Sequence, residues 1–137
     1  MMWITKSHIA HFEIRIGDIN YGGHLGNDKA LLLFQDARIR FLESLGFSEK
    51  YIGDQAGIIM AEAHVYFRKE IFLHDTLTAD VSVGEVTNSS FQLIYSIKRT
   101  ADTVEVLNGM TKLIAFDYER KKVTRLPEVF IQAIRQQ

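Results

Sequence analysis

Apolar and polar residues alternate along several segments of the chain, which is the pattern of β-strands with one buried face. The first such segment lies at 9–16, where Phe12, Ile14 and Ile16 alternate with polar or charged residues. Further strands are predicted at about 57–67, 77–83, 91–98 and 104–117. The last strand is long enough to suggest a β-bulge near 108–109.

Between the first and second strands, apolar residues recur at helical spacing instead. They are Ala30, Leu31, Leu33, Phe34, Ala37, Phe41, Leu42 and Leu45, with Arg38 on the same face. Asn27 or Asp28 is suited to cap the start, and Gly46 to end the helix. The pattern predicts one long helix, and Pro127 is expected to open a short terminal one.

This order of elements predicts the fold class. Strands joined by short turns pair antiparallel, and a single central helix with a wide apolar face needs a sheet to cover it. The sequence therefore predicts an α+β layer. With 137 residues and no linker, a single domain is expected over residues 1–137.

Composition narrows the function classes. The net charge of −1 gives no positive field for nucleic acid. The absence of cysteine excludes a thiolate nucleophile, and it fits a reducing compartment. No apolar run approaches the ~18 residues of a membrane span, and no signal-peptide pattern opens the chain. We expect a cytoplasmic protein without nucleic-acid partners or a membrane span.

The candidate chemistry lies in the loop GDINYGGHLGND, residues 17–28. Its function-capable side chains are Asp18, Asn20, His24, Asn27 and Asp28. Sequence motifs of serine hydrolases, P-loop proteins and dinucleotide-binding proteins are absent. His24 and Asp28 have a spacing that suits metal ligands, but no convincing third ligand accompanies them, so no metal site is predicted.

The position of this cluster before a helix suggests acyl chemistry. A helix start presents unpaired N–H donors and partial positive charge, which stabilise an oxyanion, and a nearby carboxylate could attack or activate water. The alternative is structural, because Asp and Asn also shape turns and cap helices. Capping alone does not explain His24 or the glycines around it, Gly22, Gly23 and Gly26.

These residues carry a family resemblance. Gly17-Asp18, Asn20, Gly23-His24-Leu25, Asn27 and the helix segment FQDAR at 34–38 resemble the motifs of hotdog-fold acyl-CoA thioesterases of the 4-hydroxybenzoyl-CoA thioesterase type. The later segment VYFRKEIFLHDTL resembles their strand, turn and Asp-x-Leu segment. The resemblance implies a five-stranded antiparallel sheet wrapped around one helix, and a homodimer or tetramer with active sites at the interface. It also implies hydrolysis of an acyl-CoA or acyl carrier protein thioester without a metal or organic cofactor.

One departure concerns the nucleophile. The hydroxybenzoyl-CoA type has a catalytic Asp where this chain has Asn20. Asp18, Asn20 and His24 also resemble the catalytic set of plant acyl-ACP thioesterases, which implies these three as catalytic residues, while Asp28 offers another carboxylate. The rest of the loop is expected to contact substrate, through Tyr21, Gly23, Leu25 and Asn27.

The sequence leaves open which carboxylate acts as the general base. If the first strand continues through the loop start, Asp18 and Asn20 project to one side, and Asp18 activates the water that Asn20 orients. Asp28 is the alternative base.

The competing functions are a non-catalytic acyl-CoA binding module and a hotdog dehydratase, although the His-Phe-Pro-Gly signature of the dehydratases is absent. Glu62 and His64 are predicted to share a strand face with Met60 and Tyr66. Scattered cations including Arg68 and Lys69 are assigned no role.

Overall fold

Six strands and two α-helices form the part of the chain that the computed structural model describes, residues 7–23 and 25–135. In chain order they are β1 (Ser7–Glu13), α1 (Asn27–Ser44), β2 (Ala56–Phe67), β3 (Thr76–Val86), β4 (Ser90–Arg99), β5 (Glu105–Asp117), β6 (Lys122–Val123) and α2 (Glu128–Ile134). The predicted α+β class is confirmed. The short strand β6 is an addition that the sequence pattern did not reveal.

All strands belong to one antiparallel sheet with the order β1-β3-β4-β5-β2, and β6 pairs with the end of β5. The hairpins β3–β4 and β4–β5 form its centre, as short turns between consecutive strands require. The connection through α1 carries the chain from β1 at one side of this order to β2 at the other.

Helix α1 packs its apolar face on the sheet. Its buried residues are Ala30, Phe34, Ala37, Arg38, Phe41 and Leu42. The ring of Phe34 stacks on Tyr95 of β4 with 4.2 Å between centroids, and Gly109 of β5 leaves room for it. With 18 residues the helix is short rather than long: it spans about 27 Å, against about 43 Å for the 13 residues of β5.

The first strand ends earlier than predicted. It ends at Glu13, and residues 16–18 form one turn of 3₁₀ helix. Ile14 still packs in the core, but Ile16 is 75% exposed. The turn forms because the Asp18 carboxylate accepts the N–H of Arg15, which draws the chain out of the extended conformation.

Two bulges change which side chains share a face. In β5 the unpaired residue is Val106, slightly before the predicted position at 108–109. In β2, Met60 pairs with Leu113 and Glu62 with Lys112, so Ala61 is unpaired. Glu62 and His64 therefore lie on the face away from α1. The prediction that they share a face with Tyr66 is confirmed, and the prediction that they share it with Met60 is wrong.

Candidate active site

The loop that leaves β1 is tied to the protein at both ends. Its first residue outside β1, Ile14, exchanges backbone hydrogen bonds with Asp75 and His74 at 2.9 and 3.0 Å. Near its end, the N–H of the buried Leu25 donates to the carbonyl of Ile71 at 2.9 Å. Ile19 and Leu25 also form a β-bridge. These bonds fix the loop against the segment that follows β2.

Asp18 holds this loop together. Its Oδ2 accepts the N–H of Arg15 at 2.9 Å, and its carbonyl accepts the N–H of Gly26 at 2.9 Å. The carboxylate thus stabilises a local turn. Because the strand does not continue to Asp18, the geometric premise for Asp18 and Asn20 projecting to one side does not hold.

Asn20 begins a tight turn inside the loop. Its Oδ1 accepts the N–H of Gly22 at 3.0 Å, and its carbonyl accepts the N–H of Gly23 at 3.1 Å. Gly23 has a φ of +79°, a conformation that favours glycine. The side chain of Tyr21 extends fully into solvent at the tip of this turn.

The helix start is capped differently from the prediction. Gly26 occupies the N-cap position, and among the described residues no side chain caps it, so the expected capping role of Asn27 or Asp28 is wrong. A Cβ at residue 26 would lie 2.7 Å from Oδ1 of Asp28, so a larger residue there would displace the Asp28 carboxylate. Asn27 and Asp28 are instead the first two helical residues, beside the backbone N–H groups of the first turn.

A cavity of about 370 Å³, the loop cavity, opens beside the loop. It is lined by Asn20, Leu25 and Asn27, by Phe67 at the end of β2 and by residues 68–71, which follow this strand. Three of the predicted site residues are therefore brought together around one space.

A second cavity of about 250 Å³, the helix cavity, lies between α1 and the start of β2. Asp28 lines it, with Gln35, Arg38 and Glu49. Its apolar walls are Leu31, Leu32, Ile58, Ile59, Met60 and Leu113. Asp28 is thus next to an apolar space, whereas Asn27 faces the loop cavity. Successive helix residues point about 100° apart, so the first turn of α1 separates the two cavities.

A buried polar network supports α1 beside the helix cavity. Arg38, which is 2% exposed, donates from Nη1 to the Tyr95 hydroxyl at 3.1 Å, and this hydroxyl bonds the Thr111 hydroxyl at 2.7 Å. Nε of Arg38 lies 3.7 Å from Oε1 of Glu49. Burial raises the pKa of Tyr95, against the opposing effect of Arg38. Sequence reasoning missed this network, and its only signal was an arginine within an apolar helix face.

The remaining predicted residues lie apart from these cavities or outside the described chain. Asp18, Tyr21 and Gly23 line neither cavity. His24 is outside the described residues. Within residues 7–23 and 25–135, no group of three His, Asp or Glu side chains is arranged to hold a metal ion.

Comparison with known proteins identifies the family. A family model described as the thioesterase-like superfamily matches residues 14–134. The chain belongs to the thioesterase-like superfamily. Membership confirms the expectation of a hotdog-fold thioester hydrolase acting on a thioester substrate. No curated protein matches the sequence.

Solved structures share the fold of this thioesterase-like chain. One is Slr0204, a 1,4-dihydroxy-2-naphthoyl-CoA thioesterase from Synechocystis, with 16% identity, a TM-score of 0.86 and coverage of 94% of this chain and 96% of that one. Another is a DHNA-CoA thioesterase from Staphylococcus aureus, with 20% identity, a TM-score of 0.82 and coverage of 92% and 85%. A third is the hypothetical protein SAV2348 from Staphylococcus aureus in complex with CoA, with 16% identity, a TM-score of 0.85 and coverage of 97% and 84%.

Among the described residues of this thioesterase-like chain, no helix has the length and apolar character needed to cross a membrane.

Proposed function

We propose that this protein hydrolyses acyl-CoA thioesters to the free acid and CoA at the start of α1. The observation that carries the proposal is the position of Asp28, a carboxylate in the first turn of a helix that lines a cavity with apolar walls. An acyl group fills such a cavity, and the thioester carbonyl then lies at the helix start.

Asp28 is the better candidate for the general base. The Asp18 carboxylate is engaged by the N–H of Arg15 and lines neither cavity, whereas Asp28 lines the helix cavity. A base must come within hydrogen-bond reach of the water it deprotonates. Asp28 can do so for a water that approaches an acyl thioester in that cavity. Asn20 and Asn27 line the loop cavity on the other side of the helix start. There they would orient the part of CoA that leads to the sulfur atom.

In the proposed reaction, water attacks the thioester carbonyl carbon while Asp28 takes its proton. The developing oxyanion accepts hydrogen bonds from backbone N–H groups in the first turn of α1, where the helix dipole is positive. Collapse of the tetrahedral intermediate breaks the carbon–sulfur bond. The CoA thiolate leaves and takes up the proton from Asp28.

A hydrolysis screen tests this function. The purified protein is incubated with acyl-CoA and aroyl-CoA thioesters of increasing size, and release of the thiol is followed. We expect turnover with at least one class of acyl group. If every thioester binds without being cleaved, the protein is a non-catalytic binding module. That alternative is suggested by Asn20, which stands where the hydroxybenzoyl-CoA type has its catalytic Asp.

We further propose that a second copy of the chain completes the site. Among the strands of residues 7–23 and 25–135, the 12-residue strand β2 pairs with β5 alone. Its other edge bonds Gly53 and Glu49 at Ala56 and Ile58, and the part beyond Ile58 forms an open edge. The adjoining surface of α1 exposes Leu31, Leu32 and Ile39. Two antiparallel edges related by a twofold axis can pair with each other and cover this apolar surface.

Light scattering tests the oligomer. We expect at least twice the chain mass of 15.7 kDa, and Ile39→Lys should shift the protein towards monomer because it places a charge in the covered surface. Asp36→Lys, on a charged part of the same helix, is the matched control. A wild-type monomer at micromolar concentration would contradict the proposal.

A cytoplasmic location stays a prediction from the sequence.

A further inference from the structure

The helix cavity has a charged end that lies away from the helix start. Asp28 lines the cavity in the first turn of α1, and Arg38 lines it further along the same helix. At 1.5 Å of rise per residue, the Cα atoms of these two residues are about 15 Å apart along the helix axis. Glu49, which follows α1 in the chain, lines the cavity beside Arg38. We call the part of the helix cavity formed by Arg38 and Glu49 its far end.

Two polar atoms at the far end lack hydrogen bonds. Nε of Arg38 and Oε1 of Glu49 are buried, and neither has a hydrogen-bond partner within residues 7–23 and 25–135. They are 3.7 Å apart, which exceeds the length of a hydrogen bond, although the opposite charges still attract each other. Because a buried donor or acceptor without a partner is costly, both atoms favour a ligand that supplies one.

The donor at the far end is held in place, whereas the acceptor can adjust. Nη1 of Arg38 donates to the hydroxyl of Tyr95 at 3.1 Å, and this hydroxyl bonds that of Thr111 at 2.7 Å. The guanidinium is therefore fixed to the centre of the sheet. The side chain of Glu49 is 30% exposed, so it can turn to admit a ligand atom beside Nε of Arg38. A fixed donor lowers the cost of ordering the site around a ligand.

A hydroxyl group suits both atoms of the far end. Its oxygen can accept the N–H of Arg38 while its hydrogen is donated to Glu49. An oxygen atom about 2.9 Å from each atom forms a triangle with their 3.7 Å separation. A carboxylate would be repelled by Glu49, and an ammonium group by Arg38. The pair therefore favours a neutral group that both donates and accepts a hydrogen bond.

The cavity between Asp28 and the far end is apolar and contains no aromatic ring. Apart from Gln35, this part is lined by Leu31, Leu32, Ile58, Ile59, Met60 and Leu113. We propose that the protein selects elongated aliphatic acyl groups that carry a hydroxyl at the end far from the thioester, and that Arg38 and Glu49 bind this hydroxyl. The inference rests on the proposed function, which places the thioester carbonyl at the helix start, and it names the substrate class.

A paired series of substrates tests the proposal. Straight-chain acyl-CoA thioesters of increasing length are compared with the same thioesters carrying a hydroxyl on the last carbon. At the length that spans the helix cavity, we expect wild-type kcat/KM to be at least about tenfold higher for the hydroxylated member, because the plain member leaves the buried polar atoms unpaired. Pairs too short to reach the far end should lack this preference. Its absence at every length would overturn the proposal.

Variants of Glu49 assign the preference to the far end. Glu49→Met removes the acceptor at nearly the same size and should abolish the preference, whereas Glu49→Gln keeps an amide oxygen and should retain part of it. The matched control is Glu43→Met, at an exposed glutamate of α1 that does not line the helix cavity, and it should keep the wild-type ratio. A full preference in Glu49→Met would overturn the proposal.

Binding measurements separate this proposal from the proposed hydrolysis. S-alkyl-CoA thioethers have no carbonyl to be hydrolysed, so they report on the helix cavity even in a protein that cleaves nothing. By calorimetry, the thioether with a hydroxyl on its last carbon should bind the wild-type protein about tenfold more tightly than the plain thioether, and Glu49→Met should bind both equally. Equal affinities in the wild-type protein would refute the selection of a hydroxyl and leave the proposed hydrolysis intact.

Discussion

The side chain of Arg38 in α1 is hydrogen-bonded to the hydroxyl of Tyr95 in β4, 57 residues later in the chain, at 3.1 Å. Both side chains are almost fully buried, and the same hydroxyl bonds Thr111 in β5. Since Phe34 of α1 also stacks on the Tyr95 ring, this tyrosine joins the helix to the centre of the sheet. The same attachment fixes Arg38, which lines the helix cavity.

Replacing Tyr95 by Phe tests the network. The ring and its stacking on Phe34 remain, but Arg38 and Thr111 lose their buried partner, and we expect the free energy of unfolding to fall by about 1–3 kcal/mol. Urea denaturation measures the loss. Tyr51→Phe, at an exposed tyrosine, should change it by less than about 0.5 kcal/mol. Equal effects of the two substitutions would show that the buried hydroxyl contributes nothing.

Tyr95 also predicts an alkaline loss of stability. Burial raises its pKa above the usual value near 10.0, so the folded protein retains a proton that the unfolded chain releases. The contribution of Tyr95 is fully present below about pH 10 and decreases as the pH rises further. The stability difference between wild type and Tyr95→Phe should therefore shrink above pH 10. A difference that grew in that range would indicate a lowered pKa.

Gly109 provides a test of the packing between β2, β5 and α1. A Cβ there would overlap the carbonyl oxygen of His64 and lie 2.8 Å from the Phe34 ring. Gly109→Ala should destabilise the protein by about 3 kcal/mol, measured by thermal unfolding. Gly17→Ala, where a Cβ meets nothing within 4 Å, is the control. A variant Gly109→Ala as stable as this control would contradict the described packing.

The central strands were predictable because their alternation is regular. Strands β3 and β4 alternate between buried and more exposed residues over most of their length, so the side of each residue follows from counting. The bulge at Ala61 in β2 breaks this rule. A single unpaired residue exchanges the two faces of the strand for all residues beyond it. Nothing in the local pattern shows that Glu62 and Met60 are on different faces of the sheet.

The candidate site was predictable as a segment and less so as a geometry. The loop of residues 17–28 was found from its polar residues and glycines before a helix, and the cavities do lie around it. The separation of Asp18 from Asp28 depends on where β1 ends and on Gly26 taking the cap. The bond between Arg38 and Tyr95 links distant segments, so short-range spacing could not reveal it.

Removal of metal ions should leave turnover unchanged. The proposed chemistry uses a carboxylate and backbone N–H groups, and His24 and Asp28 have no third ligand at a convincing spacing. Hydrolysis of a cleaved acyl-CoA is measured before and after exhaustive treatment with EDTA. A lasting loss of activity that zinc or manganese restores would instead assign His24 and Asp28 as ligands.

The role of Asp28 is the central claim, and two matched substitutions separate it from Asp18. Asparagine preserves the shape of both side chains, and at residue 18 its amide oxygen can still accept the N–H of Arg15. At residue 28 the N-cap is Gly26, so the substitution removes no side-chain cap and only the favourable interaction of the charge with the helix dipole, about 0.3–1 kcal/mol. Melting temperatures of the two variants within a few degrees of the wild type provide the control for folding.

The decisive measurement is kcat for an acyl-CoA that the wild-type protein cleaves, compared between Asp28→Asn and Asp18→Asn. We predict that Asp28→Asn lowers kcat by roughly 10² or more, the usual scale for loss of a general base, while Asp18→Asn stays within a few-fold of the wild type. An inactive Asp18→Asn beside a near-native Asp28→Asn would contradict the account and place the base in the turn after β1.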